Sequence, residues 1–321
     1  MLTIRPYQTG DAKKVYQLFA ANTPYLRDAN FWIWINRLLS EEPSIICIAE
    51  IDGEIVGHYA IIPRLLELSS KIQIKAGLGI HAFVAPDYRD KVSIFSITAV
   101  AYKMAEEKGI ELIYGFPNAN YRLIQEKIER WNRVSLFKAL QKEIHFDSEY
   151  KQYFEWNLAC SNSGEDLLCL NNLIEMQGND FIKFKINLNY FVNRYLRHPQ
   201  DVYQAWILKK NNKAVAFVVT KIFISNGVST CHIVDFLDNG SVDWSFMLKD
   251  FENILSPKAT VSIQWPRNTR FKKLLLEVGY TENSFETFFG IKLLNDNAKN
   301  FQTELLEISN WNLVIGDSDA F

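Results

Sequence analysis

Cysteine is scarce in this chain: Cys47, Cys160, Cys169 and Cys231 are the only four among 321 residues. None forms a Cys-x-x-Cys pair, so the pattern indicates neither a zinc site nor a disulfide framework, and buried free thiols and no metal are expected. Charge of one sign is lacking too. Lys and Arg total 35 against 37 Asp and Glu, a net charge of -2, which does not supply the basic face that nucleic acid requires. No apolar run approaches the length of a bilayer span, and the opening residues show no charged segment followed by an apolar core. A cytoplasmic protein with no membrane partner is therefore expected. What is present, 48% hydrophobic and 14% aromatic residues, suits a chain with two packed cores.

The richest stretch is 78–95. An apolar strand over 78–84, containing His81, Phe83 and Val84, leads through Pro86-Asp87 into Arg89-Asp90-Lys91-Val92-Ser93-Ile94-Phe95 and a helix running to about Lys108, with Gly109 as its stop. A helix that starts just after a strand gathers unpaired N–H groups, and Arg89 and Lys91 add positive charge beside them, which suits a phosphate. The stretch 110–131 repeats the order: strand 112–116, the turn Pro117-Asn118-Ala119-Asn120, then a helix carrying Tyr121 and ending near Trp131.

Together these two segments resemble the coenzyme A-binding core of the GNAT acyltransferase superfamily. The opening Ile4-Arg5-Pro6-Tyr7 with Asp11, and the segment 49–59 around Asp52-Gly53, are similar to the family as well. The resemblance implies an α/β fold with a mixed α+β sheet, acyl-CoA as acyl donor, and a pyrophosphate held by residues 89–95. It also implies that strands 80–84 and 112–116 splay, so that a backbone N–H near Phe83 or Val84 polarises the thioester carbonyl. The family loop carries two small residues where Val92 and Ile94 stand here. Asn118 and Tyr121 are further candidates for contact with the cofactor, against turn-making and ordinary helix-start packing. His81 is the candidate general base, since strand alternation puts it on the face of Phe83 and imidazole titrates near neutrality. A tyrosine acid cannot be carried over, because setting Arg130-Trp131 on the family's Gly-aromatic pair puts Glu126 at its position.

The second half repeats the series with less chemistry: strands near 205–209, 214–223 and 230–237, helix 242–255, strand 260–265 and helix 269–278. Asp238-Asn239-Gly240-Ser241 stands where the basic loop should be. Two tandem GNAT-like domains are expected, 1–150 binding acyl-CoA and 151–321 degenerate and contributing to the acceptor site. Segments 45–51 and 55–62 should form a hairpin about Asp52-Gly53, and 65–74 should continue extended. Candidate substrate-binding residues are His58, Arg194, Trp265, Arg267, Asp317 and Asp319. The two arginines each lie near an aromatic residue, which suits a nucleotide diphosphate and base.

The strand end 114–118 and the Gly316-Asp317-Ser318-Asp319 ending resemble bacterial enzymes that acylate dTDP-linked 3-amino-3,6-dideoxyhexoses for surface polysaccharide (O-antigen or capsule), with acetyl- or 3-hydroxybutyryl-CoA. Two rivals stand beside this reading. One is a tRNA-dependent aminoacyl transferase of the cell-wall bridge type, which the charge balance disfavours. The other is a non-catalytic acyl-CoA-binding protein, suggested by the branched residues in the phosphate loop.

Overall fold

The computed structural model describes residues 1–22, 29–69, 71–176, 178, 180–266 and 268–319. It divides into two units. Unit 1 holds Met1–Ser135 with Phe288–Glu307, and unit 2 holds Leu136–Thr287 with Ile308–Phe321. The expected cut after residue 150 thus falls inside unit 2, and it overlooks a return of the chain to unit 1 that no local pattern announces.

In chain order the first elements are β1 (Leu2–Pro6), α1 (Ala12–Asn22), α2 (Ala29–Ile33), β2 (Ile45–Ile51), β3 (Glu54–Glu67) and β4 (Gln73–Val84). Then come α3 (Ile94–Glu107), β5 (Leu112–Gly115), α4 (Ala119–Lys127), β6 (Asn132–Glu143), β7 (Glu155–Leu158) and α5 (Gly164–Glu175). The series continues with β8 (Lys183–Phe184), α6 (Leu188–Phe191), β9 (Tyr203–Lys210), β10 (Lys213–Ser225), β11 (Val228–Asp238) and α7 (Trp244–Leu255). It closes with β12 (Val261–Gln264), α8 (Thr269–Glu277), β13 (Thr281–Leu293), α9 (Asp296–Asn300) and α10 (Gln302–Leu305).

Within unit 1 the strands run β1-β2-β3-β4-β5-β13, antiparallel at every step except the parallel pair β4–β5. Within unit 2 the order β7-β9-β10-β11-β12-β6 repeats that series, with β11–β12 as its one parallel pair. The mixed-sheet, tandem expectation therefore holds. Each unit also takes its last strand from across the sequence: Gly290–Leu293 of β13 pair with β5, and residues 140–143 of β6 pair with β12.

Local chemistry explains most boundaries. The β2–β3 hairpin turns through Asp52 (φ 51°) and Gly53 (φ 86°), as a type I′ turn requires. Ser93 caps α3 by accepting from the Phe95 N–H at 3.3 Å, and Gly109 (φ 77°) follows its end. The extended run expected over 65–74 is instead a reversal. Leu68 N–H donates to the Ile72 carbonyl at 2.9 Å and Lys71 has φ 66°, so β3 turns directly into β4. In unit 1 the core gathers Cys47, Tyr59, Val92, Ile97, Tyr102 and Trp131. In unit 2 it gathers Trp206, Cys231, Phe251 and Tyr280. Burial pushes the Cys47 and Cys231 thiols up to about 12. Cys160, by contrast, is exposed, against the expectation of four buried thiols.

Candidate functional site

The parallel pair β4–β5 forms only at Ala76–Leu78 against Leu112–Tyr114, and β4 then runs on to Val84 without β5 beside it. A notch opens between the two strands. Beside it β4 carries a bulge: the register of β3 with β4 passes from Ala60 opposite Ile80 to His58 opposite Phe83, so His81 and Ala82 face the single residue Tyr59. Gly79 makes room here, because a Cβ on it would stand 2.2 Å from the Tyr59 hydroxyl oxygen. His81 takes φ 52°, a left-handed conformation that costs a non-glycine residue roughly 1–2 kcal/mol. Simple alternation, on which the pairing of His81 with Phe83 was expected, is therefore broken. The two rings nonetheless lie on one side, 5.4 and 5.9 Å from the Phe19 ring. His58 joins them at 5.1 Å from Phe19. It is fully buried and its Nδ1 lies 3.2 Å from the His81 carbonyl oxygen, so it packs in the interior and does not line an acyl pocket.

Beyond the notch, Pro86–Tyr88 form a 3-10 turn, and exposed Arg89, Asp90, Lys91 and Ser93 lead into α3. The Arg89 Nε donates to the Val84 carbonyl at 3.2 Å, and the Lys91 ammonium lies 5.4 Å from the Tyr88 ring centre. The branched residues are accommodated by direction: Val92 is buried in the core and Ile94 packs against it. Both side chains therefore pack toward the core, not into the exposed face that carries Arg89 and Lys91. A cavity of about 380 Å³ runs along the same helix, lined by Phe95, Ala99, Tyr102, Lys103, Lys292 and Leu294.

Glu129 was not singled out by the sequence. It is 2% exposed and accepts hydrogen bonds from Thr98 (2.8 Å), Tyr121 (3.1 Å) and Tyr102, while Trp131 Nε1 donates to the Tyr102 hydroxyl at 3.1 Å. Burial is the main reason the Tyr102 and Tyr121 hydroxyls titrate well above the usual range. Tyr121 is thus committed to this buried network, which corrects its expected contact with cofactor. Glu129→Ala removes the acceptor shared by Tyr102, Tyr121 and Thr98, of which Thr98 keeps the Phe95 carbonyl at 3.1 Å, and we expect it to lower stability by about 2–4 kcal/mol. Urea denaturation checks this; a midpoint unchanged from wild type would mean the network contributes nothing. Arg130 follows at φ 57°, the conformation a glycine would favour, and Glu126 is ion-paired with Arg133 at 2.6 Å. Asn118 is the exposed N-cap of α4, accepting from the Tyr121 N–H at 3.0 Å.

In unit 2, Arg194, Asp317 and Trp265 make contacts within the fold. Arg194 is 2% exposed and donates to the Ser318 carbonyl at 2.9 Å. Asp317 is buried and accepts from the Val314 N–H at 3.0 Å, Asp319 is half-buried, and Trp265 packs edge-on against Phe137. Arg267 lies outside the described residues. The strand layout of the notch recurs, since β11 pairs with β12 only at Thr230–His232 and continues to Asp238. Its loop differs in charge. Asp238 accepts from Gly240 N–H, Asn239 from Ser241 N–H and Asp243 from Ser245 N–H. The N–H groups of Gly240, Ser241 and Ser245 are already taken by the loop's own side chains, two of them carboxylates, which disfavour a phosphate.

Among the described residues no three or more His, Cys, Asp or Glu side chains are grouped to hold a metal, and no helix is long and apolar enough to cross a membrane. Residues 3–127 match the family model described as an acetyltransferase (GNAT) domain. No curated protein matches the chain. Among solved structures, a GCN5-related N-acetyltransferase from Anabaena variabilis is similar with a TM-score of 0.69 and 10% identity, over 92% of this chain and 74% of that one. A conserved Enterococcus faecalis protein of unknown function, described as a "Probable N-Acyltransferase", gives 0.69 and 11%, over 95% and 75%. N-myristoyltransferase from Saccharomyces cerevisiae with bound myristoyl-CoA gives 0.60 and 9%, over 90% and 78%.

Proposed function

We propose, from the premise that residues 3–127 match a GNAT acetyltransferase domain, that the chain is an N-acyltransferase taking its acyl group from acyl-CoA. One observation carries this reading: the β4–β5 notch opens beside a capped helix start flanked by Arg89 and Lys91. The pantetheine arm of acyl-CoA is an extended chain with two amides, and it fits a gap between strands whose facing backbone groups are not paired to each other. The pyrophosphate fits the loop, where the helix terminus and two cations act together. The acyl-CoA bound by the yeast structural neighbour agrees with this choice of donor.

Transfer then requires a free amine to attack the thioester carbonyl while a backbone N–H near Phe83 or Val84 bears the developing oxyanion. The C–S bond breaks, the thiolate of coenzyme A leaves, and the nitrogen gives up a proton. His81 is the group we assign to receive it, from its place on the bulge and because imidazole is a side chain suited to proton uptake.

For the acceptor we propose a nucleotide-linked amino-deoxy sugar of the dTDP-3-amino-3,6-dideoxyhexose class, used in bacterial surface polysaccharide. This finer assignment rests on the resemblance of residues 114–118 and 316–319. The self-capped loop of unit 2 is compatible with a role other than holding a second acyl-CoA. The deciding experiment is a panel of acetyl-, 3-hydroxybutyryl- and longer acyl-CoAs against dTDP-amino sugars and simple amines, read by thiol release. Turnover with amino sugars in preference to other amines is expected. CoA binding by calorimetry without turnover on any amine would replace the enzyme with a binding protein, and no CoA binding at all would reject the reading.

A further inference from the structure

His58 and the β4 bulge carry a step beyond this. The His81 carbonyl can only accept, so the 3.2 Å contact from His58 requires the proton on Nδ1. Burial depresses His58 to about 4, which leaves one N–H on the ring across the neutral range. That N–H goes to the carbonyl, and Nε2 is left as a buried acceptor without a hydrogen-bond partner among the described residues. A fully buried imidazole with half its capacity unmet is costly. The same site holds a second cost, the φ of 52° at His81. Left-handed backbone on a non-glycine residue persists where its surroundings enforce it.

We infer that His58 is a positioning residue: its Nδ1–H holds the His81 carbonyl, fixes the bulge, and thereby orients the backbone N–H of Val84, which points away from β3, at the notch. The hydrogen bond spans the bulge itself, from the strand residue opposite Phe83 to the residue with the reversed φ. A side chain fills the role that the ladder gives up where two residues face one. Phe19 closes over both imidazoles, at 5.1 and 5.4 Å, and so limits alternative ring positions. The kinetic arm of the test rests on the acyl-transfer reading; the structural arm does not.

Two variants separate positioning from packing, because Gln is closer to His in volume and Asn closer in donor position. His58→Asn sets an amide N–H near the Nδ1 position, whereas His58→Gln carries it out toward Nε2. Expected for His58→Asn is a kcat within about threefold of wild type. For His58→Gln, kcat should fall roughly ten- to a hundredfold with the acyl-CoA KM unchanged, since misaligned donors act on the transition state. In the same pair, amide hydrogen exchange at Ala82 and Phe83 should quicken in His58→Gln alone. Equal kcat and equal exchange in the two variants would overturn the inference. Wild type gives a reading that needs no variant: the ¹⁵N spectrum of His58 should show the Nδ1–H tautomer, and an Nε2–H tautomer would also overturn it. If wild type transfers no acyl group, the proposed function fails, while exchange and tautomer still decide the bulge.

Discussion

Replacing Arg89 and Lys91 together by Glu should raise the dissociation constant for coenzyme A by about two to four orders of magnitude. Each charge-assisted contact to a phosphate is worth about 1.5–3 kcal/mol, and reversing the charge adds repulsion to the loss. Both residues are exposed, so the melting temperature of the variant should stay close to that of wild type. Calorimetry with coenzyme A measures the effect directly. A constant within twofold of wild type would show that the pyrophosphate is held elsewhere, and the loop assignment would be withdrawn.

His81→Asn is expected to lower kcat by roughly 10²–10⁴-fold while the acyl-CoA KM holds. Asparagine is the informative choice because it tolerates the left-handed conformation better than most residues, so it removes the imidazole while sparing the backbone at φ 52°. The acidic limb of the pH–rate profile should disappear with the ring. Because the acceptor amine titrates too, both proteins must be compared on one amine. A variant that keeps most of its kcat and an unchanged acidic limb would leave His81 with the bulge alone.

Much of this architecture was legible because its causes are local. Asp52-Gly53 specifies a tight turn, Gly109 and Gly279 stop helices, and the repeated strand, helix, strand, helix series is written twice along the chain. The exposed basic turn leading into α3 was legible from Arg89 and Lys91. What stayed hidden depends on partners far away in sequence. The reversed φ of the bulge falls on His81 and not on a glycine, so no residue type at that position announces it. Glu129 reads as one more charge in a polar stretch until Thr98, Tyr102 and Tyr121 close over it. Arg194 and Asp317 looked like ligands for a diphosphate and a sugar because arginine beside tyrosine and a carboxylate near a terminus do suit them. Only the fold reveals that Ser318 and Val314 already occupy them. Val92 and Ile94 misled in the opposite direction, seeming to block a loop from which their side chains turn away.

The crossed assignment of the last strands has a consequence for how the chain is made. A ribosome releases residues 1–135 long before 288–307, and through that interval β5 has a bare edge where β13 will pair. Bare edges of this kind invite pairing with other chains. The sheet of unit 2 suffers no such delay, since its borrowed strand, β6, is synthesised ahead of β12. The strand pair assigned to the acyl donor therefore gains its neighbour near the end of synthesis. A chain cut or stalled before residue 288 would lose more than a tail: the half of the protein that carries Arg89 and Lys91 would be left open along β5.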